Sequence, residues 1–512
     1  MLLDQLGNVS RKAAATRSRL DKRALFAALF RGAAAGDVAL AVSYLTGTLP
    51  QGRIGLGPAL VRDALKEIQP DPAAELTLQD VDACFTEIAA TSGSGRTATK
   101  RALFAELLGK ALSSDRDFLV RLVLGELRQG ALEAVILESI ADAAEVDAGA
   151  VRRAAMLTAD PARVAEVAFA RGNAGLAEFR LEPLAPIRPM LAQPAETMQV
   201  AFDAIAEAFV ETKLDGARVQ LHKDGDVVRI FSRQLNDVTA SVPELVDAVQ
   251  ELDARRLVLD GEVIALRADN RPHPFQVTMR RFGRKSVNAG IRNELPLRVF
   301  LFDCLMIDDE VLIDRPYSER TAALAAIAPV ALRVPQIRTT SAAEAARFMR
   351  QSLENGHEGV MVKAPDSLYA AGNRGADWLK VKQVHSLDLV VLAAEWGSGR
   401  RQGWLSNLHL GAVDGDGFVM LGKTFKGLTD KTLKWQTAEL LEREIRRDEH
   451  VVHVRPELVV EIAVNEIQQS PQYPAGMALR FARVKRYRDD KTAAEADTVD
   501  AVRHLFQQQA VA

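Results

Sequence analysis

The first third of the chain carries the apolar spacing of amphipathic helices. Apolar positions recur three and four residues apart, as in the series Leu25, Phe26, Leu29 and Phe30. This spacing puts them on one helix face, which a core can cover. Glycine-rich breaks at residues 51–57 and 92–96 interrupt the pattern and are typical of loops between helices. The pattern therefore predicts an all-α domain.

A proline-rich segment marks the end of this domain. Residues 182–189 contain three prolines, and such a run cannot lie inside a helix or a central strand. We therefore expect an interdomain linker there. After it, residues 218–222 alternate apolar and polar, residues 223–226 supply a turn, and residues 228–230 continue the alternation. This is the pattern of a β-hairpin.

Strands and helices then alternate until about residue 385. Strands are predicted over residues 257–266, 297–307, 359–363 and 378–382. Helices are predicted near residues 242–252 and 342–354. This mixture indicates an α+β domain.

Short strands dominate from about Asp388 onwards. They are predicted over residues 389–392, 408–413, 418–421 and 458–464. Short strands separated by turns are typical of a small β-barrel, and a last helix should begin near Asp497. A chain of 512 residues has the length of about three domains. We expect them over residues 1–182, 183–385 and 386–512.

Composition and charge narrow the class of protein. The two cysteines, Cys84 and Cys304, are too few for a four-cysteine zinc site or a disulfide framework, and they suit the reducing cytoplasm. No stretch approaches about 18 uninterrupted apolar residues, so no membrane span is expected. The formal net charge is only −3, but basic residues cluster over residues 480–488. Local clustering of this kind is what binding to nucleic acid requires.

Lys213 is the first candidate for chemistry. It follows the apolar pair Phe209 and Val210 and precedes the predicted hairpin. Burial of a lysine at such a strand–loop junction lowers its pKa and frees a nucleophilic amine. Asp215 and Arg218 are near enough in sequence to shape the same pocket. The competing interpretation is a surface loop with mixed charges, because four-residue patterns recur by accident.

Further motifs follow Lys213 in order. They are Phe231–Arg233, Leu259–Val263, Leu301–Asp303, Glu358–Lys363, Trp378–Lys382 and Leu479–Arg486. The stretches Pro186–Leu191 and Gly422–Gly427 extend the series. The whole series resembles the covalent nucleotidyltransferases. Within them it is similar to an ATP-dependent DNA ligase of the bacterial or archaeal type, which has a helical DNA-binding domain, an adenylation domain and an OB-fold domain.

The resemblance implies a three-step reaction on nicked double-stranded DNA, carried out by a monomer. Lys213 would attack the α-phosphate of ATP, AMP would pass to the 5′-phosphate at the nick, and the 3′-hydroxyl would then displace AMP. Each step moves charge through a phosphoryl group, which requires cations and a metal ion. The implied metal is Mg²⁺, with Glu262 and Glu358 as oxygen ligands, and Lys363 would add a further cation.

The same resemblance implies which residues contact the nucleotide. The ATP-binding set would be Glu211, Arg218, Arg233, Glu262, Phe302, Arg374, Lys380 and Lys382. Glu211 would read the adenine edge, Phe302 would stack on the base, and Lys382 would neutralise the α-phosphate. The pyrophosphate leaving group would be oriented by Arg480, Arg483 and Lys485. Ala482 stands among them where the family often has proline.

The sequence leaves several alternatives open. Taken alone, Phe302 is more typical of a core than of a base platform. An RNA ligase or an mRNA-capping nucleotidyltransferase shares the Lys-x-Asp-Gly pattern, but these enzymes do not usually carry a helical domain in front of it. NAD-dependent DNA ligases usually carry a four-cysteine zinc module, which this chain cannot form. A catalytically dead nucleic-acid clamp would have no need for both the lysine and the acidic metal ligands.

Two further segments are candidate DNA contacts. Lys100, Arg101 and Lys110 could grip phosphates across a minor groove, and residues 396–401 could form a loop that faces DNA. Solvated helix charges and a plain surface turn are the competing interpretations.

Overall fold

The computed structural model describes residues 1–69, 75–127, 129, 133–284, 289–371 and 376–511. The described residues before the linker are helical. The helices are α1 (Leu3–Ala15), α2 (Arg19–Arg31), α3 (Ala35–Leu45), α4 (Pro58–Lys66), α5 (Leu78–Ala90), α6 (Arg96–Lys110), α7 (Ser113–Leu124), α8 (Glu133–Ala144), α9 (Ala148–Thr158) and α10 (Pro161–Leu176). The two glycine-rich breaks fall between α3 and α4 and between α5 and α6, as predicted.

Local capping explains where several of these helices begin. The Ser18 hydroxyl accepts a hydrogen bond from the amide of Asp21 at the start of α2. Thr77 and Asp80 form a reciprocal capping box at the start of α5, and Asp160 caps α10 just before Pro161. These side chains satisfy amides that have no partner within the helix. The apolar faces then share one core.

The middle region is mixed α/β. Its elements are β1 (Gln193–Pro194), α11 (Met198–Ala204), β2 (Ala208–Lys213), β3 (Ala217–Asp224), β4 (Val227–Ser232), α12 (Pro243–Gln250), β5 (Arg256–Ala265), α13 (Phe275–Phe282), α14 (Ala289–Glu294), β6 (Leu297–Ile307), β7 (Glu310–Val311), α15 (Tyr317–Ile327), β8 (Gln336–Thr339), α16 (Ala342–Glu354), β9 (Gly359–Lys363) and β10 (Trp378–Lys382). The strands form two sheets, in the orders β1-β10-β9-β2-β8 and β4-β3-β5-β6-β7. The predicted hairpin is β3–β4.

Alternate residues of β3 form hydrogen bonds with the backbone of the linker and of Met190, which follows it. The side chain of Gln220 exchanges two hydrogen bonds with the backbone of Ile187, at 2.7 and 3.0 Å. His222 Nδ1 accepts a hydrogen bond from the backbone of residue 184, and burial lowers the pKa of His222 to about 3, which keeps the ring neutral and able to accept. Arg218 donates to the Met190 carbonyl at 2.6 Å. The period of two in β3 thus directs a row of polar side chains onto the linker.

The last region is an antiparallel half-barrel. Its elements are β11 (His385–Trp396), β12 (Leu405–Asp414), β13 (Gly417–Thr424), α17 (Asp430–Glu442), β14 (Glu444–Asp448), β15 (Val451–Val454), β16 (Val459–Val464), β17 (Glu466–Gln469), β18 (Met477–Arg480), β19 (Arg483–Tyr487) and α18 (Val499–Val511). The main sheet runs β13-β12-β11-β15-β14, and β16 joins β11 to β19. A separate ribbon pairs β17 with β18. None of the described helices is long and apolar enough to cross a membrane.

Helix α17 is the main element that the apolar pattern did not predict. Its buried face carries Gln436 and Thr437 between Leu433 and Leu440. The Gln436 side chain donates to the Leu405 carbonyl, and the Thr437 hydroxyl accepts from the Leu405 amide at 3.0 Å. A helix face that satisfies a neighbouring strand with polar side chains lacks a continuous apolar stripe, so its period is hidden.

Breaking the buried ion pair between Arg320 and Asp303 should destabilise the middle region. Arg320 on α15 and Asp303 on β6 are both fully buried and joined by two hydrogen bonds, at 2.8 and 3.0 Å. We expect Arg320→Met to lower the free energy of unfolding by about 3–5 kcal/mol, because Asp303 would keep a buried, unpaired charge. The measurement is the first unfolding transition in urea. Arg229→Met, at an exposed pair with Asp237, is the control and should cost less than about 1 kcal/mol; equal losses would contradict the argument.

Candidate active site

A cavity of about 810 Å³ opens between the middle region and the half-barrel. Both sheets of the middle region contribute to its walls, as do residues 465–469 and Arg480, Phe481 and Phe506 of the last region. Of the predicted nucleotide contacts, the cavity brings together Glu211, Lys213, Arg218, Arg233, Glu262, Phe302, Glu358, Lys380, Lys382 and Arg480. Arg374 lies outside the described residues.

Strand register places Lys213 beside Glu358. Lys213 is the last residue of β2, and Gly359 of β9 lies opposite both Lys213 and Lys382 of β10. Glu358 directly precedes Gly359, so its carboxylate reaches both ammonium groups and forms an ion pair with each. Two lysines and one carboxylate therefore meet at the end of three adjacent strands.

The surroundings of Lys213 favour its neutral amine. Its side chain keeps only 20% of its exposure. Burial lowers its pKa, while the charges of Glu262 and Asp215 act in the opposite direction. Burial likewise lowers the pKa of Lys382 to about 8, with help from the nearby charge of Lys213. A desolvated amine with a lowered pKa is a better nucleophile at neutral pH.

The turn after Lys213 requires glycine. A Cβ atom at Gly216 would lie 2.2 Å from the Val263 carbonyl oxygen, so a side chain at this position would force the turn away from β5. The close approach of this turn to β5 brings Asp215 to the cavity wall. Burial raises the pKa of Asp215, and Lys213, Lys382 and Arg480 oppose that change.

Arg218 is held rigidly at the cavity wall. It makes two hydrogen bonds to the buried Asp260, at 3.1 and 2.7 Å. Asp260 also accepts from the Tyr369 hydroxyl at 2.7 Å. The guanidinium carbon lies 5.4 Å from the centre of the Phe302 ring. The Arg218 guanidinium and the Phe302 ring therefore lie next to each other in the cavity wall.

Glu262 differs from Glu211 and Glu358 in having no ion pair within salt-bridge distance among the described residues. It lies opposite Arg218 across β3 and β5, and within the described part of the chain no group donates a hydrogen bond to it. Burial raises the pKa of Glu262 to about 7, although the charges of Lys213 and Arg218 lower it. Such a carboxylate is free to bind an added cation. No cluster of three or more His, Cys, Asp or Glu among the described residues could hold a metal ion by itself.

Glu211 and Phe302, the candidates for contact with the base, lie side by side in the cavity wall. Glu211 is 2% exposed, and its carboxylate pairs with the buried Lys363 at 2.6 Å. It also accepts a hydrogen bond from the Tyr317 hydroxyl. The Phe302 ring meets Trp378 edge to face, with ring centres 6.4 Å apart. Lys363 is therefore engaged in the wall rather than directed at open space.

The last basic motif is divided between the cavity and the surface. Arg480, at the end of β18, lines the cavity and lies opposite Glu466 of β17. Arg483 is half exposed and 3.9 Å from Glu196. Lys485 pairs with Glu461 at 3.3 Å. In this arrangement Arg483 and Lys485 do not line the cavity.

The candidate DNA contacts of the helical region are engaged with their own neighbours. Lys100 donates to the Ile54 carbonyl at 2.8 Å. Arg101 and Lys110 pair with Glu67 and Glu106, at 3.0 and 2.7 Å. On the half-barrel, the Arg401 guanidinium donates to the Phe425 carbonyl.

Several residues of the site were not singled out by sequence reasoning. Asp260 directly precedes Gly261–Glu262, so its place in that motif was a usable signal. Tyr317 is 106 residues from Glu211, and Tyr369 is 109 from Asp260. Only the packing of α15 and of the segment before β10 against the sheets brings these hydroxyls to their carboxylates.

Comparison with known proteins gives a consistent result over the whole chain. Family models match residues 65–141 (DNA ligase N terminus), 189–382 (ATP dependent DNA ligase domain) and 401–491 (ATP dependent DNA ligase C terminal region). A protein of Anaeromyxobacter sp. (strain Fw109-5) named "Probable DNA ligase" is 56% identical, covering 100% of this chain and 99% of that protein. Another of that name from Sorangium cellulosum (strain So ce56) is 52% identical, covering 99% and 95%.

A solved structure called Pmar-Lig_Pre has a similar fold. Its TM-score is 0.62 at 19% identity, and the alignment covers 94% of this chain and 99% of that one. At this level of identity, the similarity concerns the fold alone.

The unusual titration of Glu262 can be measured directly. We expect ¹³C NMR of carboxyl-labelled glutamate to show a midpoint near pH 7 for Glu262, assigned by loss of the signal in Glu262→Gln. Lys213→Met should raise this midpoint, because the ammonium opposes the effect of burial. The folded protein holds this proton more tightly than the unfolded chain, so the contribution of Glu262 to stability falls as the pH rises from about 4.5 to about 7. Glu395, whose pKa hydrogen bonds lower to about 2, is the internal reference; a Glu262 midpoint near 4.5 would contradict the analysis.

Proposed function

The chain belongs to the family of ATP-dependent DNA ligases, and on this premise we propose that it seals nicks in duplex DNA through a covalent lysyl-AMP on Lys213. The observation that carries the proposal is the position of Lys213. It is a buried lysine at the end of β2, in a cavity that also presents an aromatic face, several cations and an unpartnered carboxylate. The helical region and the full-length similarity to proteins named as DNA ligases favour this function over an RNA ligase or a capping nucleotidyltransferase.

In the first step, the neutral amine of Lys213 attacks the α-phosphorus of ATP. The nitrogen–phosphorus bond forms, the bond to the bridging oxygen breaks, pyrophosphate leaves and the nitrogen loses a proton. In the second step, an oxygen of the DNA 5′-phosphate attacks the same phosphorus and releases Lys213. In the third, the 3′-hydroxyl attacks the 5′-phosphate, a phosphodiester bond forms, and AMP leaves. Burial lowers the pKa of Lys213, which increases the share of the neutral, nucleophilic amine.

The remaining residues would bind and orient the nucleotide. We assign the base to Glu211 and Phe302, and the sugar and phosphates to Arg218 and Arg233. Lys380 and Lys382 line the cavity on the β10 side, where they would offset charge on the phosphates. Arg374 stays in this set on the strength of the family resemblance.

The donors present are suited to Mg²⁺. Glu262 has no hydrogen-bond partner within the described chain, and carboxylate oxygens are the ligands that Mg²⁺ prefers. Glu262 would hold the ion together with Glu358, once the nucleotide phosphates have drawn Lys213 and Lys382 away from Glu358. When bound, the ion would neutralise phosphate charge.

We further propose the roles of the three regions. Residues 1–182 would form the DNA-binding domain, residues 183–385 the adenylation domain and residues 386–512 an OB-fold domain. We also propose that the chain acts as a monomer, because one copy brings Lys213 and the described nucleotide contacts into a single cavity. The half-barrel covers the cavity here, so it would have to swing away before a nick could reach Lys213.

Removal of the nucleophile tests the reaction. With magnesium and ATP labelled in the α-phosphate, the wild-type protein should acquire label that survives a denaturing gel. Lys213→Ala should acquire none, because the proposal assigns the attack to the Lys213 amine and not to the neighbouring Lys382, while its binding to nicked DNA stays within a few fold. Lys66→Ala, at an exposed lysine on α4, is the control. Label from GTP alone would favour a capping enzyme, and label on Lys213→Ala would show that another residue is the nucleophile.

The assignment of Arg480 predicts a difference between reaction steps. Arg480→Ala should slow self-adenylylation by more than it slows sealing of a pre-adenylylated nick, because pyrophosphate leaves only in the first step. Single-turnover rates of the two steps provide the measurement. Arg486→Ala, at an exposed arginine paired with Glu461 at 2.8 Å, is the matched control. Equal loss in both steps would remove Arg480 from this role. We also assign Arg483 and Lys485 to the leaving group, with smaller effects expected because they lie outside the cavity.

A further inference from the structure

A buried lysine in the cavity wall lies inside a box of three aromatic rings. Lys363 is 1% exposed. Its ammonium nitrogen lies 4.2, 4.5 and 4.6 Å from the ring centres of Trp378, Tyr317 and Phe302. Rings at these distances stabilise a cation through their negative faces, most strongly where water is excluded. Burial lowers the pKa of Lys363, and its pairing with Glu211 opposes that change and favours the ammonium form.

The ammonium group has three acceptors within reach. They are a Glu211 carboxylate oxygen at 2.6 Å, the Tyr317 hydroxyl oxygen at 3.3 Å and the Phe302 carbonyl at 3.4 Å. Three donors facing three acceptors exhaust the capacity of a lysine. Lys363 is thus fully occupied by the protein and acts on its neighbours, not on a phosphate.

Glu211 receives one donor on each carboxylate oxygen. Lys363 pairs with Oε2, and the Tyr317 hydroxyl donates to Oε1. An ionised carboxylate has about four lone-pair positions, so acceptor capacity remains on both oxygens. Glu211 and the Phe302 ring both line the cavity, which places this capacity beside the surface assigned to the base.

We propose that Lys363 and Tyr317 are positioning residues that hold Glu211 as a hydrogen-bond acceptor for the exocyclic amine of adenine, and that they thereby select ATP over GTP. The inference rests on the proposed function and deepens it. Guanine carries a carbonyl oxygen where adenine carries its amine. A carboxylate offers that oxygen no donor, so the wrong base leaves acceptors facing each other in a buried site.

The charge of Lys363 matters to this selection as well as its position. Burial raises the pKa of Glu211, and the charge of Lys363 is the largest influence in the opposite direction. Without Lys363, burial would favour the protonated carboxyl. A protonated carboxyl can donate as well as accept, and it could then bond to the guanine oxygen. Removal of Lys363 should therefore relax the choice of base, in addition to weakening the site.

The test compares nucleotides rather than overall activity. The kcat/KM of self-nucleotidylylation is measured with ATP, GTP and the triphosphate of unsubstituted purine riboside, which lacks the exocyclic amine. We expect Tyr317→Phe and Lys363→Met to lower the preference for ATP over both other nucleotides by about tenfold or more, chiefly through a higher KM for ATP. Each variant should also show little further loss when combined with Glu211→Gln, because both act through that carboxylate.

Two variants in the helical region match the chemistry of these changes. Lys22 is a buried lysine that donates to the Gln129 carbonyl at 2.8 Å, and Tyr44 is a buried tyrosine within reach of Asp82 at 3.3 Å. Lys22→Met and Tyr44→Phe should alter stability but leave the nucleotide preference unchanged.

The outcomes separate the two proposals. Equal loss of kcat/KM with all three nucleotides in Tyr317→Phe would overturn the inference and leave only a structural role. Tyr317→Phe removes a single oxygen, so it decides the question even where Lys363→Met does not fold. A wild-type protein that takes no label from any nucleotide would instead refute the proposed function itself.

Discussion

The burial of charged side chains at the junction of two sheets is the constraint on which the site depends. Charges removed from water are tolerated only with partners. Asp260 forms an ion pair with Arg218, and Glu211 forms one with Lys363. Glu358 forms ion pairs with both Lys213 and Lys382. Each pair fixes the orientation of a group that would otherwise be solvated and mobile. Glu262 forms no such pair among the described residues, and burial raises its pKa to about 7 although the charges of Lys213 and Arg218 lower it.

Strand register turns this constraint into geometry. β9 pairs with β2 on one side and β10 on the other, so residues far apart in sequence form rows across the sheet. One row joins Lys213, Gly359 and Lys382, and another joins Phe209, Lys363 and Trp378. A shift of one residue in either pairing would direct these side chains to the opposite face. Lys213, Lys363 and Trp378 are therefore positioned by the same two ladders.

The sequence predicted elements well where the pattern was regular and poorly where polar residues are buried. The helix over 342–354 and the strands over 359–363 and 378–382 have the bounds that their patterns predicted. The order of motifs indicated which residues share a pocket. It did not indicate that Lys363 faces Glu211 instead of a phosphate, since that depends on Tyr317 of α15. The order of motifs also did not indicate that Arg480 lines the cavity while Arg483 does not. That difference depends on the bend between β18 and β19.

The three regions are joined by contacts of different kinds, and this difference bears on how the site can work. Met156 and Leu157 of α9 share an apolar cluster with Tyr317 and Trp378 of the middle region, and the linker is tied to β3. Separation of these parts would expose apolar surface and break buried hydrogen bonds. The half-barrel meets the middle region through polar contacts that include Gln276 with Gln468 at 2.9 Å. Water can replace contacts of that kind at little cost. The half-barrel is therefore the part of the molecule that can most readily move away from Lys213, while the cavity walls formed by the middle region keep their shape.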